Sequence, residues 1–167
     1  MDSRLQVQLF AALVPVVFGI IWYNPYLLGK VWEMCGVPPV KMGTGKLVLT
    51  AVLTYVAGYF IAAHVLGSIV IHQHGVYSML AGDPDMRDKN SALYNTVLGL
   101  MDKYGHNFRT FKHGALHGSF TGLYLVLPIL LVIGLIENKK LCWIMVHSAF
   151  WTACLAVMGG IICQYLP

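Results

Sequence analysis

The eighteen charged residues of this chain are confined to five short zones, which leave four long tracts that contain no Asp, Glu, Lys or Arg. The tracts run from Leu5 to Gly29, Leu47 to Ile71, His113 to Ile136 and Leu141 to Pro167. A helix rises ~1.5 Å per residue, so about 20 apolar residues cross a hydrocarbon core ~30 Å thick. Every tract is long enough. Charged residues make up 11% of the 167 residues, less than half the share of about 25% typical of a soluble domain. That deficit excludes both a water-soluble globule and a disordered chain. A net formal charge of +4 without any basic run also argues against a nucleic-acid binder.

These tracts predict an all-α integral membrane four-helix bundle, a single domain over 1–167 with spans at about 5–23, 47–71, 113–136 and 141–166. The first span is the weakest, with Gln6 and Gln8 near its start and Pro15 in its middle. Pro128 interrupts the third. Membrane helices tolerate such prolines, usually with a kink. Trp22-Tyr23-Asn24-Pro25 stands where a cleaved signal would need small residues, so the first tract reads as a retained helix ending in an interfacial aromatic belt. Four crossings put both ends on one side, with the long loop from His72 to Lys112. Lys and Arg number six on that side and five on the other (Lys41 among them), so the charge rule discriminates little, and Arg4 tips the ends towards the cytoplasm.

The loops have structure of their own. Leu27, Leu28, Val31 and Trp32 at helical spacing predict a short interfacial helix within Tyr26–Cys35, ending before Gly36 and Pro38-Pro39. In the long loop, Gly82-Asp83-Pro84-Asp85 signals a turn. Asn90 or Ser91 then caps a helix carrying Leu93, Val97, Leu98 and Met101, which Gly105 ends.

Lipid tails are as apolar as leucine, so helices associate through close packing at small residues. Gly114, Gly118 and Gly122 recur every four residues and form a groove for another backbone. Such a stripe serves either an internal seam or a homo-oligomer.

Seven histidines are many for this length, and six of them gather towards the long-loop side. His113 and His117, at i and i+4, share one helical face, and His64 reaches a comparable depth on the second span. His64, His113 and His117 are therefore the candidate metal ligands or proton-relay groups, against a plain interfacial role. Arg109 and Lys112, just outside the third span, are candidates for an anionic lipid or other anion; the alternative is a juxtamembrane elbow that sets helix depth. Cys154 and Cys163 read as reduced packing residues. Cys35 and Cys142 share a membrane side, so a disulfide is open to them if that side is periplasmic. No nucleophile elbow, zinc-protease helix, phosphate loop or dinucleotide fingerprint is present, and no two carboxylates are placed to work together.

Trp22-Tyr23-Asn24-Pro25 followed by Gly29 and Trp32, the segment Met101 to Gly118, and the closing Met158-Gly159-Gly160-Ile161-Ile162 together resemble the bacterial domain-of-unknown-function family 1761. Within it, the chain looks like a Bacteroidetes-type subgroup with an enlarged middle loop. The resemblance implies a small four-helix inner-membrane protein and brings no catalytic residues with it. The resulting expectation is a multi-pass protein of the bacterial inner membrane, non-enzymatic and without a cofactor, acting as an accessory or scaffold component. Its partners would be the lipid bilayer and a homo-oligomer or larger membrane complex. Alternatives are a carrier or sensor using the membrane histidines, and anionic-lipid binding at Arg109 and Lys112.

Overall fold

The computed structural model describes residues 2–38 and 42–167; Pro39 and Lys41, used above as a helix stop and in the charge balance, lie outside them. The described residues form helices and no strands. In chain order the helices are α1 (Ser3–Trp22), α2 (Gly29–Trp32), α3 (Thr44–Val70), α4 (Gln73–Met79), α5 (Ala92–Tyr104), α6 (Phe111–Ile136) and α7 (Leu141–Tyr165). Of these, α1, α3, α6 and α7 are long and apolar enough to cross a membrane.

Both prolines leave their mark on the hydrogen-bond ladder. A helical proline donates no bond, and its ring crowds the carbonyl four residues back. In α1 the ladder breaks at Ala12–Leu13, where the Leu13 N–H reaches the Phe10 carbonyl at 3.2 Å in a tighter step. In α6 a wide π-helical turn, Gly122–Val126, opens immediately before Pro128. A second wide turn, Ile61–Leu66, lies in α3 and carries His64.

The centre of the bundle is α7, whose Ile144, Phe150, Cys154, Leu155, Met158 and Ile162 are buried. Antiparallel to it lies α6, joined by a tight turn in which Asn138 takes the left-handed conformation at φ 54°. Their backbones touch. A methyl group added at Gly114 would overlap the Gly159 carbonyl, at Gly118 the Leu155 carbonyl, and at Gly122 the side chain of Thr152. The glycine stripe is thus occupied inside the subunit. A second crossing joins α1 to α3, where a methyl at Gly58 would come within 2.9 Å of the Ala12 carbonyl oxygen, and the Tyr55 hydroxyl donates to the Leu9 carbonyl at 3.3 Å. The outward face of α3 leaves Leu49, Val52, Leu53 and Val56 about half exposed. A soluble monomer rarely exposes an apolar surface of that extent; hydrocarbon covers it without penalty.

At one end of the bundle, α2 runs into a 3₁₀ turn, Glu33–Cys35, and Gly36 closes it at φ 77°. Trp32 donates its indole N–H to the Trp22 carbonyl at 2.9 Å, folding this segment back on α1. Cys35 is joined by a disulfide to Cys142 in the first turn of α7, across 107 residues of sequence. At the other end, Asp83 caps the turn Pro84–Met86, and the Ser91 hydroxyl accepts from the Tyr94 N–H at 2.9 Å to start α5. The sequence reading foresaw no helix at α4. It forms because one extended residue, Ile71, ends α3 and lets the helix resume in a new direction.

Candidate functional site

The long-loop end of the bundle brings three imidazoles together: His72, His113 and His117, with one ligand nitrogen of each inside a group spanning no more than 4.8 Å. Helix geometry alone places two of them. Thr110 caps α6 by accepting from the His113 N–H at 3.3 Å. His117 lies one turn further on, and its ring centroid is 4.5 Å from that of His113. His72 arrives from elsewhere in the chain, on the elbow between α3 and α4. Its Nε2 is 2.9 Å from Nε2 of His113, and its ring centroid lies 5.1 Å from that of His117. Gln73 holds the elbow by donating to the Asn107 carbonyl at 2.9 Å.

Phenylalanine rings border the cluster. Phe108, at φ 62°, lies 5.2 Å from the His113 ring and 6.2 Å from that of His72, and Phe120 lies 6.2 Å from that of His117. His72 is exposed and the other two half-buried, so the cluster is open to solvent on the His72 side. Tetrahedral zinc with Zn–N bonds of about 2.0–2.1 Å sets its ligand nitrogens about 3.4 Å apart. That separation lies between the 2.9 Å contact and the 4.8 Å limit of the cluster. Small rotations about the side-chain bonds reconcile them. No carboxylate or thiolate belongs to the group. A bound cation would therefore keep its full charge and an open position for a further ligand.

His64 is not in this group. It stands exposed on the wide turn of α3 and stacks on Phe60, centroids 5.9 Å apart. Its depth follows from residue count, but its direction depends on a turn that departs from the 3.6-residue period. His72 carried a usable signal, since it and His113 both sit at the same membrane border in the sequence.

Arg109 is engaged elsewhere. Its Nε donates to the Cys163 carbonyl at 2.8 Å and its Nη2 to the Leu166 carbonyl, while the Phe111 N–H donates to Gln164 Oε1 at 3.1 Å. A guanidinium here satisfies the free carbonyls at the C-terminal end of α7 and complements its dipole. Lys112 is exposed on the first turn of α6. Of the pair read as an anion site, Arg109 is thus held at the end of α7, where a juxtamembrane elbow would place it, while Lys112 stays exposed.

His74, on α4, packs on Gly67 and stands apart from the cluster. Burial holds its imidazole below the usual value, and the positive charges of Arg109 and Arg4 push the same way. At the opposite end of the bundle the Tyr23 hydroxyl and His147 Nδ1 share a hydrogen bond of 2.7 Å, beside Trp143. His147 is the seventh histidine, the one outside the six that gather towards the long-loop side.

The family model for a protein of unknown function, DUF1761, matches residues 7–163, nearly the whole chain. The chain belongs to the DUF1761 family. No curated protein and no solved structure matches this DUF1761 chain.

Proposed function

We propose that this DUF1761 protein is a non-enzymatic, multi-pass component of the bacterial inner membrane that holds a transition-metal ion of the zinc class on His72, His113 and His117. One observation carries the reading: three imidazoles from two separate parts of the chain converge to within 4.8 Å at one membrane border. Neutral imidazole suits borderline divalent ions, and three protein ligands leave a fourth position open to water or another exchangeable ligand. An ion here would clamp the α3–α4 elbow to the first turns of α6, the geometry of a carrier or sensor. The internal use of the glycine seam takes away the feature that most favoured a scaffold assembling through α6.

The Cys35–Cys142 disulfide supports an orientation. Disulfides persist in the periplasm and are rare in the cytosol, so the α2 end would face the periplasm. The histidine end and both chain ends would then face the cytoplasm.

Elemental analysis after loading the detergent-purified protein with zinc chloride tests the metal reading. About one zinc per chain is expected for wild type and for His64→Ala, and none for His72→Ala or for the His113→Ala/His117→Ala pair. Absence of zinc from wild type, or equal zinc in every variant, would overturn it.

A further inference from the structure

Far from the histidines, α1 and α3 separate. They touch where Gly58 meets Ala12 and Pro15, and from there towards the disulfide end they enclose a cleft of about 570 Å³. Gly19 and Ile20 of α1 form one wall, Val48 and Ala51 of α3 the other, and Phe150 and Trp151 of α7 the floor. A pocket of 300–1,000 Å³ that is mostly apolar with a few placed polar groups is the usual form of a small-molecule site. This one lies between two membrane-spanning helices, so its occupant enters sideways from the bilayer.

Thr50 and Thr54 add hydroxyls along the α3 wall, while Tyr23 and Asn24 line the cleft together at the close of α1. A phenolic oxygen can donate one hydrogen bond and accept two. His147 Nδ1 takes up only one of these at 2.7 Å, whichever partner donates. A ligand hydroxyl, able both to donate and to accept, pairs with what is left in either case. Asn24 uses its Oδ1 to accept from the Tyr26 N–H at 2.8 Å, which, among the described residues, leaves its NH₂ protons for a carbonyl oxygen. No Lys, Arg, Asp or Glu stands among the described lining residues. We propose that this cleft binds a neutral glyceride-type lipid, its acyl chain between α1 and α3, its free hydroxyl on Tyr23 and an ester carbonyl on Asn24. The site is independent of the metal reading.

The test is photolabelling of the full chain in lipid nanodiscs with a diazirine-bearing diacylglycerol, set against a diazirine-bearing phosphatidylglycerol. A Cβ at Gly19 comes no nearer than 4.0 Å to the Phe150 ring, so Gly19→Phe fills the cleft without displacing backbone. Ala51→Phe fills it from the α3 wall, and Val56→Phe, on the exposed outer face, is the control. Diacylglycerol label is expected on peptides covering the cleft, reduced about tenfold by either filling variant and unchanged by the control. Tyr23→Phe is expected to remove the preference over phosphatidylglycerol. Label spread evenly around the bundle, label indifferent to both filling variants, or equal labelling by phosphatidylglycerol in wild type would overturn the proposal. The last outcome would mark the cleft as filled by bulk lipid only.

Discussion

Replacing Gly118 by alanine tests the packing on which the bundle depends. The added methyl would lie 2.6 Å from the Leu155 carbonyl carbon and 3.0 Å from the Ala156 Cα. Carbon atoms in contact ordinarily sit about 3.5–4.0 Å apart. The obstruction is helix backbone, so α6 and α7 must move apart by about 1 Å. A gap of that size forfeits a quarter to a half of the dispersion well at each contact it opens. Gly114 and Gly122, one turn away on either side, share the loss because the helices move as rods. Overpacking of this kind costs about 1–3 kcal/mol, and the upper end applies where backbone blocks relaxation. Helix propensity returns up to ~1 kcal/mol on replacing glycine with alanine. The expected net loss is about 2 kcal/mol, which lowers Tm by about 4–8 °C in a domain of this size. Circular dichroism during heating in detergent measures it. Gly99→Ala in α5 is the control: its Cβ meets nothing within 4 Å, so only the favourable propensity effect remains. A Gly118→Ala protein as stable as wild type would refute the close α6–α7 contact.

Arg109→Gln should destabilise the bundle by about 2 kcal/mol, because it uncaps the α7 carbonyls of Cys163 and Leu166; heating in detergent again reports it, and an unchanged Tm would count against the elbow role. Under the proposed orientation, Cys35→Ser should leave Cys142 open to a membrane-impermeant maleimide added to intact spheroplasts, whereas wild type labels only after reduction. Labelling of unreduced wild type at Cys142 would contradict the disulfide. His74 has its folded value lowered, so between the folded and the unfolded values, the latter about 6.5, the unfolded chain binds more protons. Its contribution is therefore constant above the unfolded value and is lost as pH falls through it towards the folded one. His74→Gln should flatten the acid side of the stability–pH curve, and an unaltered curve would show that His74 does not titrate there.

Much of the fold was legible because membrane insertion depends on local composition. Four uncharged tracts, each as long as a bilayer is thick, appear as four helices with bounds within a few residues of those read from charge alone. Capping chemistry is equally local, as Ser91 and Gly36 show. The α4 helix was missed because one extended residue, Ile71, redirects the chain within a stretch that reads as loop.

The candidate site divides along the same line. His113 and His117 share a face through helix geometry alone, so sequence spacing sufficed for them. Choosing His72 over His64 required knowing how a wide turn rotates α3 and where the elbow after Ile71 points. Arg109 was ambiguous for a similar reason, since its partners lie more than fifty residues away at the end of α7.

Composition by itself determined that this chain forms four helices long and apolar enough to cross a bilayer, because the energy of placing charge or apolar surface is set residue by residue along the chain. Which histidines meet, which helix end holds Arg109, and where α1 and α3 part to form a cleft were decided by tertiary structure. Those outcomes depend on how helices rotate and cross, and such angles are fixed only when side chains from distant segments compete for the same space.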